Sequence, residues 1–269
     1  MTTGFEQIIY EKKDRIAIIT FNRPEKLNSM TRLMMDEIYT AIDDAEKDDG
    51  IRVLVFTGAG NEAFSTGADV NMLANWAVSI REESGKTGIR NIPTPTHGSP
   101  IPCYIWEHVE KPTIAAINGV AAGMGGVTAY ACDIRVASAR ARFPLIYNRR
   151  ALVVSGESWF LPRLIGLGPT MHHLLLSDEI SAEQALRLGL VTALFPPEDL
   201  MKETLKIAER IAKGPRVAMK FTKKAVYNGL TMDFLTAMNW IGYYRAVAGH
   251  AGEFEEGTKA FLEKRDPQF

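Results

Sequence analysis

Short runs of β-branched and other apolar residues, each ended by turn residues, constrain the fold of this 269-residue chain more than any other feature. Two of them are RIAIITF (residues 15–21) and IRVLVFTG (residues 51–58). Runs this short and this uniformly apolar are typical of strands that are buried on both faces. Between them the apolar spacing becomes helical, with one face formed by Met34, Ile38, Ala41, Ile42 and Ala45. Strand, helix and strand in this order predict parallel pairing in an α/β protein.

The second half of the chain continues the pattern and then becomes helical. KPTIAAINGV, CDIRVASA and LVTALFP predict three more strands. Ser181 and Gln184 have the spacing of a capping box, so we expect a short helix to begin there and to end at Gly189. After residue 197 the pattern is helical almost to the end, with one break at Gly214–Pro215. This tail is expected to be a helical subdomain or an oligomerisation surface.

Residues 76–112 do not follow the alternation. They are rich in Pro, Gly and Thr and include the stretch GKTGIRNIPTPTHGSPIPC. A connection of this length in a compact domain is usually functional or disordered. We therefore predict a long loop in this region.

Composition excludes few functions but disfavours several. Apolar residues make up 46% of the chain, charged residues 23%, and the formal net charge is −1, which disfavours nucleic acid or a membrane surface as the main partner. Two isolated cysteines give neither a disulfide framework nor a zinc pattern, and no metal site is expected. We see no secretory leader and no apolar stretch of membrane-spanning length, so a cytoplasmic location is expected.

Two runs of small residues, FSTGADV (64–70) and NGVAAGMGG (118–126), each follow a predicted strand. Small side chains let a carbonyl group approach the backbone, and fixed backbone N–H groups stabilise an oxygen that becomes negative during acyl chemistry. The alternative is that both runs are tight strand-to-helix corners without a chemical role. A dinucleotide site at TGAGNEA is disfavoured, because the third glycine is absent and no clear helix begins there.

Six segments of the chain occur in a characteristic order: NRPEKLNSM, FSTGADVNML, KPTIAAINGVAAGMGG, ACDIRVASARARF, SAEQALRLGLV and GTKAFLEKRDPQF. With these segments in this order, the chain resembles the crotonase superfamily, which comprises the enoyl-CoA hydratases, isomerases and their relatives. The resemblance implies an α/β fold, a crotonase-like ββα spiral core over residues 1–198 with a helical C-terminal trimerisation region over residues 199–269. It implies a homotrimer or a dimer of trimers, an acyl-CoA thioester as substrate, and no cofactor beyond the coenzyme A of that substrate.

The resemblance also assigns site residues by position. The N–H groups of Ala68 and Met124 become the two donors to the thioester oxygen, which stabilise an enolate. The residues expected to contact coenzyme A are Lys26, Leu27, Thr66, Ala68, Asp69, Val70 and, from a neighbouring subunit, Phe261 and Lys264.

The acid–base residues of the family are not at their usual positions. The first glutamate position falls on Val127 and the second on Tyr147, while the isomerase position falls near Val154 or Ser155. Glu157 is the nearest carboxylate and is our candidate acid–base residue. The alternative is that Ser155 caps a helix and Glu157 only favours its dipole, which would lower the pKa of the carboxyl group.

Three functions therefore stay open at the level of sequence. The first is an enoyl-CoA hydratase or isomerase that uses Glu157. The second is a thioester hydrolase or carbon–carbon lyase that uses Tyr147 or the loop histidines His97 and His108. Glu107 and Glu110 are further residues that could reach the thioester if the loop folds over it. The third is an acyl-CoA-binding protein without turnover.

Overall fold

The structure is a computed structural model that describes residues 4–72, 74 and 100–269. The strands, numbered along the chain, are β1 (Ile8–Lys13), β2 (Ile16–Phe21), β3 (Val53–Gly58), β4 (Ala63–Ser65), β5 (Thr113–Ile117), β6 (Val120–Ala121), β7 (Ile134–Ser138), β8 (Arg142–Pro144), β9 (Glu179–Ser181) and β10 (Ala193–Phe195). The α-helices are α1 (Arg32–Lys47), α2 (Ile101–His108), α3 (Gly123–Ala131), α4 (Glu157–Leu164), α5 (Leu167–Leu176), α6 (Ala182–Leu188), α7 (Leu200–Ala212), α8 (Arg216–Gly229), α9 (Phe234–Gly249) and α10 (Glu253–Glu263).

The strands form a large and a small sheet. The large sheet has the order β1-β2-β3-β5-β7-β10, and all its pairs are parallel except β1 with β2. The small sheet has the order β4-β6-β8-β9, with only β8 and β9 antiparallel. The predicted parallel α/β arrangement is therefore confirmed, and β1 is an edge strand that the sequence analysis did not predict.

Strand β3 lies between two hydrophobic clusters, which explains its uniformly apolar sequence. Leu54 and Phe56 are fully buried in the larger cluster, which also contains the apolar face of α1. Val53 and Val55 point to the other face and pack in a second cluster with Leu200, Ala208 and Ala212 of α7. The prediction of a strand buried on both faces is confirmed.

The small sheet determines where the two turns rich in small residues lie. Strands β4 and β6 pair in parallel, with Ala63 opposite Val120 and Ser65 opposite Ala121. Because the carboxyl ends of parallel strands lie at the same edge of a sheet, the segments that follow Ser65 and Ala121 emerge side by side. The candidate site described below lies at this edge.

The C-terminal region is helical, as predicted, with breaks after α7, α8 and α9. The predicted capping box of α6 is present, because the Ser181 side chain accepts from the Gln184 N–H and the Gln184 side chain accepts from the Ser181 N–H. Gly189 ends α6 in the left-handed conformation, with φ +79°. Helix α7 packs against the large sheet, and the proposed boundary at residue 198 stays a prediction.

The prediction of a loop over the whole of residues 76–112 is wrong for its last third. Residues 101–108 form helix α2, and Pro102 lies in its first turn, where its missing N–H costs no intrahelical bond. Residues 76–99 of the predicted loop lie outside the described residues. Within the described ranges, no helix has the length and apolarity needed to cross a membrane.

Candidate active site

The two turns rich in small residues contact each other through their backbones. Gly67 has φ +88°, and a Cβ atom built on it would lie 2.8 Å from the Met124 nitrogen and 2.9 Å from the Ala122 carbonyl oxygen. Similarly, a Cβ atom on Gly125 would lie 2.4 Å from the Ser65 carbonyl oxygen, and one on Gly119 would lie 2.2 Å from the Glu62 carbonyl oxygen. The approach of the two turns therefore depends on glycine, because real Cβ atoms do not come this close to backbone oxygen.

The Ala68 N–H is directed away from the strand-like contact that holds its turn. Ala68 and Met30 form a parallel bridge, in which the Met30 N–H donates to the Gly67 carbonyl at 2.7 Å and the Asp69 N–H donates to the Met30 carbonyl at 3.0 Å. In a parallel ladder the residue between two such bonds directs its own N–H to the opposite side. The Ala68 N–H donates no hydrogen bond to any of the described residues.

The Met124 N–H is also unpaired, for a different reason. Met124 is the second residue of α3, and the first N–H groups of a helix have no intrahelical acceptor. In the part of the chain that the structure describes, no other acceptor takes this N–H. The two amides assigned from the sequence thus belong to two contacting turns, and each has a free hydrogen.

Buried polar groups hold the first turn in place. Asn28 is fully buried at φ +53°, accepts from the Arg23 N–H, and donates to the carbonyls of Ala59 and Ala63 at 3.0 and 2.8 Å. The Ser65 hydroxyl donates to the Asn28 carbonyl at 2.7 Å and accepts from the Gly67 N–H at 3.1 Å. These bonds fix Gly67 relative to β4 and were not predicted from the sequence.

The expected coenzyme A residues of the first half of the chain surround this turn. Lys26 ends a short 3-10 turn and is exposed, as is Leu27 (44% exposed), whose carbonyl accepts from the Thr66 N–H at 3.1 Å. Val70 is 69% exposed beside the same turn. Asp69 pairs with Arg23 at 3.2 Å, and the Asn71 N–H and this guanidinium lower the pKa of its carboxyl group. Asp69 therefore braces the turn.

The two expected coenzyme A contacts from the C-terminus lie on the last helix and directly after it. Phe261 lies on α10 and is 82% exposed, and Lys264 follows that helix at φ +54° with an exposed side chain. Their exposure leaves both free to meet a ligand or another subunit.

The structure joins Glu157 to Tyr147. The Tyr147 hydroxyl donates to Glu157 Oε1 at 2.5 Å, and the Ser155 hydroxyl donates to Oε2 at 3.2 Å. Glu157 is the first residue of α4 and is 0% exposed. Burial raises the pKa of its carboxyl group against the lowering effect of these hydrogen bonds, so the expected lowering of that pKa is wrong.

Ser155 does not cap helix α4, contrary to the alternative considered above. The residue before the helix is Gly156, and no side-chain cap bond is present. The Ser155 hydroxyl is used by the Glu157 carboxylate instead. Burial beside Glu157 also raises the pKa of Tyr147, so its hydroxyl stays protonated at neutral pH.

Val127, which the resemblance places at the family's first glutamate position, has a buried apolar side chain. It is 3% exposed, and a Cβ atom built on Gly156 would lie 2.4 Å from its Cγ1. The Val127 side chain therefore packs directly against the turn that begins α4. This side of the site contributes shape and no proton.

The loop candidates do not gather at the two turns in the described part of the chain. Glu107 and His108 lie at the exposed end of α2, with His108 Nε2 3.8 Å from Glu107 Oε2. Glu110 forms ion pairs with Lys220 and Lys224 of α8. His97 lies outside the described residues. Within those residues, no group of three or more His, Cys, Asp or Glu side chains is arranged to hold a metal ion.

The comparison with known protein families agrees with the fold and the motifs. Residues 11–269 match the family described as Enoyl-CoA hydratase/isomerase. The chain belongs to this family. The resemblance drawn from the six sequence segments is confirmed, and so is the crotonase fold.

Named relatives of this family member carry both hydratase and isomerase activities. Crotonyl-CoA hydratase of Syntrophomonas wolfei is 32% identical over 267 residues, which cover 99% of this chain and 98% of that protein. The 1,2-epoxyphenylacetyl-CoA isomerase of Escherichia coli is also 32% identical, with 98% of each chain covered. The crystal structure of enoyl-CoA hydratase from Bacillus anthracis matches with a TM-score of 0.86 at 29% identity, covering 98% of this chain and 99% of that one.

Proposed function

We propose that this family member binds an acyl-CoA thioester so that the Ala68 and Met124 N–H groups donate to the thioester oxygen. The observation that carries the proposal is the pair of unpaired N–H groups on two contacting turns. When a proton leaves the α-carbon, negative charge moves to that oxygen. Fixed backbone donors stabilise such charge without reorganisation, and removal of one donor typically costs about 10²–10³ in rate.

Glu157 is the proposed source of acid–base chemistry. Its buried carboxylate has a raised pKa, which suits a group that accepts and returns a proton near neutral pH. The proposal gives Lys26, Leu27, Thr66, Asp69 and Val70 the coenzyme A contacts of the same chain.

Glu157 is the one acid–base carboxylate that we assign among the described residues, and a single such group favours isomerisation over hydration. Adding water to a double bond requires activation of the water and protonation of the α-carbon, for which the family uses two glutamates. Moving a double bond requires one group that takes a proton from one carbon and returns it to another. The resemblance places Val127 at the first glutamate position and Tyr147 at the second, so the proposed site suits the proton shift. Hydration is the second candidate, and it is supported by the names of relatives such as crotonyl-CoA hydratase.

Assembly into a trimer or a dimer of trimers is part of the proposal. Helix α9 exposes Phe234 (75%), Leu235 (72%) and Tyr243 (59%), more apolar surface than one helix of a monomer usually leaves in water. Phe261 and Lys264 of one subunit would then contact the coenzyme A of a neighbour. A role in fatty acid metabolism is proposed on the names of the enoyl-CoA relatives.

Three reactions test the proposal on the same enzyme preparation. They are the conversion of a 3-enoyl-CoA to its conjugated 2-enoyl isomer, the hydration of crotonyl-CoA, and the exchange of the α-protons of butyryl-CoA for deuterium. We expect isomerisation and exchange, with slower hydration. A Glu157→Gln variant is expected to lose both reactions, whereas Glu110→Gln, which removes a half-buried carboxylate paired with α8, is expected to keep them.

Absence of α-proton exchange in a protein that binds coenzyme A thioesters would contradict the enolate mechanism. Release of free coenzyme A from the thioester would instead support hydrolysis, and binding without any reaction would support a protein that holds acyl-CoA. Rapid hydration without isomerisation would reverse the order of the two candidate reactions.

A further inference from the structure

The Glu157 carboxylate has no direct path to a substrate. It is 0% exposed, and its two oxygens accept from the Tyr147 and Ser155 hydroxyls. Val127 packs against the turn that precedes it. An acyl group bound at the two turns would therefore meet other atoms before it met this carboxylate.

The Tyr147 hydroxyl lies between Glu157 and the two turns. A Cβ atom built on Gly123 would lie 3.9 Å from Tyr147 Oη, 3.7 Å from the Thr66 carbonyl oxygen and 4.0 Å from the Gly67 Cα. The hydroxyl thus approaches the point where both turns meet, and its hydrogen is directed at Glu157 Oε1.

The backbone around Tyr147 holds the hydroxyl in this position. The Tyr147 carbonyl accepts from the N–H groups of Arg150 and Leu152, at 2.9 and 3.1 Å. The Asn148 side chain donates to the carbonyls of Leu174 and Leu175 at the end of α5. These bonds attach the segment to α5, so the tyrosine is fixed by more than its bond to Glu157.

Resting on the function proposed above, we propose that the Tyr147 hydroxyl is the catalytic group that meets the α-carbon, and that Glu157 exchanges protons with the substrate through it. The Tyr147 oxygen takes the α-proton while its own proton passes to Glu157. The C–H electron pair moves into the enolate, whose oxygen is held by the Ala68 and Met124 N–H groups. In the return step Glu157 reprotonates the Tyr147 oxygen as the tyrosine proton passes to carbon, which leaves the enzyme unchanged.

This arrangement agrees with the ionisation state of the pair. The pKa of Tyr147 is raised by burial and by the neighbouring carboxylate, so a free tyrosinate does not accumulate. A neutral hydroxyl can pass a proton in either direction only if a base stands behind it. Glu157 occupies that place and is a positioning and proton-accepting residue in this scheme.

The test compares Tyr147→Phe with Tyr130→Phe. Tyr130 is 2% exposed, and its hydroxyl has no hydrogen-bond partner among the described residues, so its variant controls for the loss of a buried tyrosine hydroxyl nearby. The readout is deuterium incorporation at the α-carbon of butyryl-CoA, with kcat and KM measured separately. General acid–base groups contribute about 10²–10⁴ in rate, so we expect Tyr147→Phe to lower kcat at least about 100-fold. KM is expected to change less than about threefold and Tyr130→Phe to stay within about twofold of the wild type.

A double variant tests the coupling between the two residues. If Glu157 acts through Tyr147, Tyr147→Phe combined with Glu157→Gln should be no more than about threefold slower than either single variant, because both remove the same step. Should Tyr147→Phe fail to fold, 3,5-difluorotyrosine at position 147 keeps the ring and hydroxyl, lowers the phenol pKa, and should shift the pH profile of exchange towards acid.

The outcomes separate this inference from the proposed function. Wild-type protein that binds butyryl-CoA without any exchange overturns the enolate mechanism and the relay together. Wild-type exchange that survives in Tyr147→Phe within about fivefold, yet is lost in Glu157→Gln, overturns the relay alone. An unchanged pH profile in the fluorinated protein also counts against it.

Discussion

Gly67→Ala is expected to damage both the stability and the chemistry of the protein. At φ +88°, a residue with a side chain is strained, which costs about 1–3 kcal/mol. The added Cβ would also lie 2.8 Å from the Met124 nitrogen and 2.9 Å from the Ala122 carbonyl oxygen, so backbone must move. Overpacking of this kind costs about 1–3 kcal/mol more. Together the two effects predict a loss of about 2–6 kcal/mol in the free energy of unfolding.

Gly252→Ala is the matched control, because it isolates the conformational part. Gly252 has φ +74°, and nothing lies within 4 Å of a Cβ atom built on it. We expect this variant to lose only about 1–3 kcal/mol and to keep its activity. Urea unfolding at one protein concentration gives the stability of both variants, and α-proton exchange of butyryl-CoA gives their activity.

The activity measurement separates the proposed role of the turn from simple strain. Moving the Met124 N–H away from the thioester oxygen should lower the exchange rate about 10²–10³-fold, in addition to the loss of stability. Two results together would refute the reasoning. The first is an equal loss of unfolding free energy in Gly67→Ala and Gly252→Ala. The second is an exchange rate of folded Gly67→Ala within about threefold of the wild type.

Three further changes probe other parts of the same site. Met124→Pro removes an N–H that has no acceptor in the described residues, so circular dichroism should report a folded protein. The rate of α-proton exchange should fall about 10²–10³-fold. An exchange rate within about tenfold of the wild type would mean that the donor is misassigned. Asn28→Ala leaves three backbone groups, one of them in a fully buried hydrogen bond, without their partner and should cost about 2–5 kcal/mol in urea unfolding, whereas a loss below about 1 kcal/mol would show that water replaces the amide. Burial raises the folded-state pKa of Glu157 above its ordinary value of 4.5. Because the carboxyl group ionises more readily in the unfolded chain, ionisation favours unfolding. The wild type should therefore lose stability relative to Glu157→Gln as the pH rises through the folded-state pKa. A stability difference between these two proteins that stays constant with pH would contradict the raised pKa.

Strong periodicity allowed much of the fold to be predicted from the sequence. The faces of strand β3 and helix α1 that the apolar spacing indicates are buried in the core, so the sequence predicts both elements clearly. Strand β1 gives a weaker signal, because this edge strand buries only Ile8 and Tyr10 and exposes its charged end. Helix α2 was not predicted because Pro100 and Pro102 are typical of loops, although proline is also tolerated at the start of a helix.

The chemistry of the site was less accessible to sequence reasoning. The small residues around Gly67 and Met124 are visible as motifs, because a close backbone approach restricts which residues can stand there. The pairing of Tyr147 with Glu157 is not visible in this way, since the residues are ten positions apart and are joined through an irregular segment. Whether a buried carboxyl gains or loses protons depends on the balance between desolvation and hydrogen bonding, which only the folded environment determines.

The backbone crossings at Gly119 and Gly125 have a consequence for how this scaffold can diversify. A methyl group at either position would meet a main-chain oxygen at 2.2 or 2.4 Å, so these crossings tolerate no larger residue. Position 124 has no such size limit on this ground, because the N–H that it contributes belongs to the main chain and is the same for any residue except proline. Mutational libraries that leave the glycines fixed and vary positions 124, 127 and 147 would therefore explore new substrates and new proton donors while the proposed anion-stabilising frame stays intact.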